Sequence, residues 1–218
     1  MRGALRFEKL ALLLVTMLVL LWSGINPRDR FTWFFEVLPV ILALVILMPT
    51  ATKFPLSALS YRLLFIFGLV LMVGGHYTYS EVPVGDWFQE TFELSRNHYD
   101  RLGHIVQGFV PAIVAREILL RKTSLVPGGW LTFLIIATCL AISAFYELVE
   151  WWTALLLGES ADAVLALQGD VWDSQWDMFL ALLGACISLA TLSKVHDRSL
   201  AALEFSRQRE SHSGNEKS

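Results

Sequence analysis

WLTFLIIATCLAISAFYELVEWWTALLL, residues 130–157, is the stretch that decides the fold of this chain. From Trp130 to Tyr146 it holds no Asp, Glu, Lys or Arg. A helix rises about 1.5 Å per residue and a bilayer core is about 30 Å thick, so about 20 apolar residues cross it. The run is therefore a transmembrane helix. Counted from Trp130, Glu147 and Glu150 fall roughly 25 and 30 Å along it, near its far boundary.

The same reading extends along the chain. Of its 218 residues, 55% are hydrophobic and 17% charged, and the mean hydropathy is +0.54. Soluble domains run near a quarter charged, so the apolar excess belongs in lipid. Further spans are expected at about 7–25, 31–48, 60–77, 102–120 and 172–192, with the fifth at 130–157. The first follows Arg2, Arg6 and Lys9 as a signal peptide would. Trp22-Ser23-Gly24-Ile25-Asn26-Pro27 offers no small-x-small cleavage site, so a retained helix is expected. The class is all-α, a polytopic membrane helix bundle of about six transmembrane helices.

Residues 1–193 make up the bundle, and residues 194–218 read as a polar, partly disordered tail. The 80–101 connection carries Pro83, Trp87 and Phe88, a pattern expected of a short interfacial helix. No internal repeat is visible. Cys139 and Cys186 lie mid-span without metal or redox spacing and read as small apolar residues.

Alternation of six spans puts 13 of the 17 Lys and Arg residues on one side, leaving Arg28, Arg30, Arg96 and Arg101 on the other. The positive-inside rule then predicts both termini in the cytoplasm. The acidic residues divide the other way, 14 of 20 facing outward. Acids do not set topology, so that asymmetry needs another cause.

Helical phase supplies one. At about 100° per residue, Asp170, Asp173, Asp177, Gly184 and Ser188 fall on a stripe roughly 60° wide. Ser143, Glu147, Glu150 and Ala154 share a face, as do Asp100, His104, Gln107, Gly108, Pro111 and Ala115. Small residues mark faces where membrane helices approach closely, so these acids are expected to point into the bundle. Ionisable groups there are functional candidates by default. The candidate polar site is His104, Glu147, Glu150, Asp170, Asp173 and Asp177, with Asp100, Arg101 and Gln107 as further members. Arg101 and Arg96 are too few to balance these acids. The remainder calls for protons, water or a metal ion.

The motifs Asp100-Arg101-Leu102-Gly103-His104-Ile105-Val106-Gln107-Gly108-Phe109-Val110-Pro111 and Phe145-Tyr146-Glu147-Leu148-Val149-Glu150-Trp151-Trp152 resemble the YjdF-like family of bacterial inner-membrane proteins. So does Gln168-Gly169-Asp170-Val171-Trp172-Asp173-Ser174-Gln175-Trp176-Asp177-Met178. The resemblance covers most of the chain. It implies an inner-membrane location and a helical architecture, and no reaction. A fainter analogy links Asp100/His104, Glu147 or Glu150, and Asp173 or Asp177 before Ala181-Leu182-Leu183-Gly184-Ala185 to VanZ-like membrane proteins.

Three readings of the site stand side by side. In the first, Asp, Glu and His bind a divalent metal that acts on an outer-leaflet lipid. In the second, they form the site of a proton- or cation-coupled transporter. In the third, acids, arginines and the tryptophan belt make a structural or partner-binding membrane protein without chemistry. The lipid bilayer is the expected partner, and with a net charge of −3 no global basic bias suggests nucleic acid. His76 reads as an interfacial hydrogen-bonding group and Glu36 as a paired or solvated acid near the outer end of its span. Arg116 and Glu117 read as separate caps or pairs at the cytoplasmic end. His98, His196 and His212 read as loop or tail residues.

Overall fold

In a computed structural model the backbone is described for residues 2–157 and 168–215, and the side chains for residues 7–156 and 168–209. The described part is helical, without strands. Its elements are α1 (Arg2–Ser23), α2 (Arg30–Thr50), α3 (Ala58–Tyr77), a 3-10 turn (Tyr79–Glu81), α4 (Pro83–Thr91), α5 (Tyr99–Lys122), α6 (Gly129–Leu157) and α7 (Asp173–Asn215). Helices α2, α3, α5, α6 and α7 are each long and apolar enough to cross a membrane.

Local chemistry sets several of the boundaries. Asp29 caps α2 by accepting the Thr32 amide at 2.7 Å, and that bond holds its carboxyl below the usual carboxylate range. Ser57 caps α3 in the same way through Ser60. The 80–101 connection does contain a short helix, α4, and its Trp87 and Phe88 are exposed.

The last helix departs from the expected span. It does not end at Leu192 but continues to Asn215, so the first part of the polar tail is helical. Lys194, His196, Asp197 and Arg198 interrupt the apolar run without a Gly or Pro to stop the helix. The tail beyond 209 lies outside the described side chains.

Two triplets build the bundle. Helices α1 and α2 pack on α3, and α5, α6 and α7 pack on one another, with α5 against α7 the most extensive contact. Contacts of α3 with α5 and α7 join the halves. The α5–α7 contact is backbone to backbone. A Cβ added to Gly108 would lie 1.8 Å from the Ala181 carbonyl oxygen, and one on Gly184 would lie 2.1 Å from that of Ile105. Only glycine permits this approach, the use of small residues expected between membrane helices.

Large apolar side chains face outward along the bundle. Leu10, Leu14, Leu18, Val45, Ile46, Phe133, Phe145 and Leu155 are all exposed. In water such a surface would be an association site; in a bilayer it is the ordinary lipid face. Both cysteines are free, Cys139 buried and Cys186 turned outward.

Candidate functional site

The site grows from the start of α5. Asp100, Arg101 and His104 stand within its first two turns, and Gly108 one turn further lets α7 come close. The approach brings the beginning of α7 opposite, with Asp173 and Asp177 one turn apart. All four of Asp100, His104, Asp173 and Asp177 are buried.

Arg101 spreads its fork across three aspartates. Its Nη1 donates to Asp177 Oδ1 at 2.6 Å and to the Asp173 carbonyl at 3.2 Å. Its Nη2 donates to Asp173 Oδ1 at 2.7 Å and to Asp170 Oδ2 at 2.9 Å. Arg96 Nη1 adds a second bond to Asp173 Oδ1 at 2.8 Å, and its Nη2 lies 3.8 Å from Asp100. Asp170 reaches Arg101 from a position other than the one expected. It lies in the turn before α7 rather than on its stripe, where it also accepts the Trp172 amide at 2.9 Å.

His104 faces the other side of this cluster. Its Nε2 is 3.4 Å from Asp100 Oδ1 and 3.7 Å from Asp177 Oδ1. One ligand atom from each of Asp100, His104 and Asp177 lies within 4.8 Å of the other two. Buried Glu147 on α6 leaves its Oε1, and His104 its Nδ1, without a protein partner among the described residues.

Beside His104 lies a cavity of about 110 Å³. Asp100, His104 and Gln107 of α5 line it together with Glu36 of α2, Tyr79, and Tyr146 and Glu150 of α6. Glu150, not Glu147, is the α6 acid on this wall. Tyr146 donates to Glu36 Oε2 at 3.1 Å. Pro39 and Pro111 also line the space. A proline inside a helix removes an N–H, so the carbonyls of Phe35 and Gln107 lose their usual helical donors next to it. The cavity has room for more than one water.

Two groups escaped sequence reasoning. Glu36 and Tyr146 meet from helices far apart in the chain, and nothing in either local pattern links them. The larger omission is at the opposite end of the bundle. There Glu117, His196, Ser57 and Ser60 are completely buried and Arg116 nearly so. Glu117 accepts from the Ser57 amide at 2.8 Å, the Ser60 hydroxyl at 2.6 Å, Arg121 at 2.6 Å and His196 Nε2 at 3.2 Å. His196 is thus a core residue of α7, not a tail residue. An arginine can only donate, so its 3.0 Å contact from Arg116 Nη1 makes His196 Nδ1 the acceptor and leaves the ring proton on Nε2 toward Glu117. Arg116 also pairs with Asp197 at 2.7 Å. An acid and a histidine buried on facing helices are a signal, but His196 lies beyond the span end read from hydropathy.

Residues 8–198 match the family model described as "Predicted membrane protein (DUF2238)". The chain belongs to this family. Within it, the chain is similar to the inner membrane protein YjdF of Escherichia coli (strain K12), with 50% identity over 187 residues. That match covers 86% of this chain and 90% of the relative. No solved structure matches. Membership, the relative's location and the apolar helices agree on a multi-pass inner-membrane protein. The buried Asp/His group described above is thus a polar centre inside a DUF2238 membrane bundle.

Proposed function

We propose that the chain crosses the inner membrane six times with both termini in the cytoplasm, and that it holds a divalent cation between α5 and α7 beneath the periplasmic head groups. The observation that carries the reading is the buried trio Asp100, His104 and Asp177 with its ligand atoms within 4.8 Å of one another. Donors about 2.1 to 2.3 Å from a four-coordinate ion are separated by roughly 3.4 to 3.8 Å. The His104–Asp100 and His104–Asp177 separations of 3.4 and 3.7 Å fall in that range.

The charge balance supports a cation. Arg96 and Arg101 are occupied chiefly by Asp170, Asp173 and Asp177. Glu36 and Glu150 then share one cavity with Asp100, and among the described residues no arginine or lysine lines it. Uncompensated carboxylates in a low-dielectric interior are costly, so a bound ion, with water in the cavity, relieves them. One imidazole and two carboxylates suit Mn²⁺ or Zn²⁺. An ion at this depth would act as a Lewis acid toward an oxygen of a periplasmic-leaflet lipid head group.

The test is Mn²⁺ and Zn²⁺ titration of the chelator-stripped, detergent-purified full chain. One ion should bind per chain. Asp177→Asn or His104→Ala should weaken binding by at least about tenfold, and Ser60→Ala, at the opposite end, should leave it unchanged. Failure of both metals to bind stoichiometrically, or equal binding in all variants, overturns the reading.

A further inference from the structure

A second void adjoins the polar cavity across Pro39, Phe67 and Leu71. It is an open groove of about 260 Å³ between α1, α2 and α3. Its walls are almost wholly apolar, with Leu12, Val40, Ala43, Leu47 and Leu64 among them. It runs from Lys9, Ala51 and Tyr61 at one end to Pro39 and Leu71 at the other. At about 1.5 Å per residue, the distance from Ala51 to Pro39 along α2 is roughly 18 Å, and from Tyr61 to Leu71 along α3 roughly 15 Å. One leaflet of a bilayer core is about 15 Å deep. The groove therefore has the length of one lipid chain lying in a single leaflet.

The charge at its mouth selects the head group. Lys9 lines the groove, with its Nζ 4.6 Å from the centre of the Tyr61 ring. Arg62 stands beside it in a 2.5 Å pair with Glu8, and Lys53 lies in the turn between α2 and α3. Among the described residues at this mouth, cations outnumber carboxylates. Basic residues at a membrane surface attract anionic lipid. A long apolar trough ending at an ammonium group is complementary to an amphiphile with a negative head.

We infer that this groove is a binding site for one anionic phospholipid, with one acyl chain along α2 and α3 and the phosphate at Lys9. The inference goes beyond the cation reading and does not depend on it. The methyl end of the chain meets Pro39, Phe67 and Leu71, which also line the polar cavity around Glu36 and His104. Bound lipid thus backs the wall that separates that cavity from the membrane.

Native mass spectrometry of the full chain, released from detergent after titration with phosphatidylglycerol, tests this directly. Phosphatidylethanolamine with the same acyl chains is the net-neutral comparison. The unmodified protein should carry one phosphatidylglycerol, held at least about tenfold more tightly than phosphatidylethanolamine. Lys9→Gln should abolish the preference between the two lipids. Ala43→Phe, which puts a ring into the trough, should weaken both by about tenfold while the melting temperature shows the chain still folded. Equal affinity for the two lipids in the unmodified protein overturns the proposal. So do retention of detergent alone and unchanged lipid binding in Lys9→Gln. Because the lysine change is at a half-buried rim position, the outcome does not hang on the packing of Ala43→Phe.

Discussion

The two ends of the bundle solve the problem of buried charge in opposite ways. At the Glu117 end, a single carboxylate receives donors from Ser57, Ser60, Arg121 and His196, and each neighbouring cation has a further acceptor. At the Arg101 end, among the described residues, acids outnumber cations, and Glu147 and His104 each keep an atom without a protein partner. The first arrangement is a closed network that ties α3, α5 and α7 together. The second is tied only on its arginine side and stays open toward a cavity. A satisfied buried network rigidifies a fold, whereas a partly satisfied one is tolerated where a ligand completes it. The contrast separates structural polarity from candidate functional polarity within one membrane domain.

The comparison can be broken in several places. The largest effect is expected at the contact that creates the Arg101 end. Gly184→Leu has no room against the Ile105 carbonyl, so α5 and α7 must separate. A loss of about 4 kcal/mol or more is expected, read as aggregated material on size exclusion. A monodisperse Gly184→Leu protein with unchanged melting would remove the close approach from the account.

Next comes the closed network itself. Glu117→Gln should cost about 3 kcal/mol, because it removes the buried carboxylate that pairs with Arg121 and accepts from His196. Thermal unfolding in detergent reads this as a clearly lowered midpoint. The smallest effect, and the one that sharpens the contrast, is Glu147→Gln. It removes a buried charge from a region already rich in acid, so stability should change by less than about 1 kcal/mol or rise. Two acid-to-amide changes of the same chemistry should thus give different outcomes at the two ends. Equal destabilisation by both would mean that the Arg101 end is as fully satisfied as the other.

Much of this was legible in the chain. The apolar runs specify helices and a membrane setting, because lipid leaves backbone polar groups no other partner. Spacings of four residues put Asp100 with His104 and Asp173 with Asp177 on common faces, and the structure brings these faces together. The rest was illegible for definite reasons. Asp170 reaches Arg101 from a turn, where helical phase says nothing. Glu150 and Glu147 lie almost on one face, and only packing decides that Glu150 lines the cavity. His196 was hidden because α7 leaves its apolar stretch without leaving the helix.

Periodicity and hydropathy, then, determine by themselves that the chain is a membrane helix bundle and that acids of α5, α6 and α7 turn inward. They are properties of one helix in a solvent, and a single sequence suffices to state them. Which carboxylate meets which cation was decided only by the tertiary structure. Those pairings depend on separations of 2.6 to 3.7 Å between side chains of α5 and α7. They are set by where two glycines let two backbones touch, a distance that no local pattern encodes.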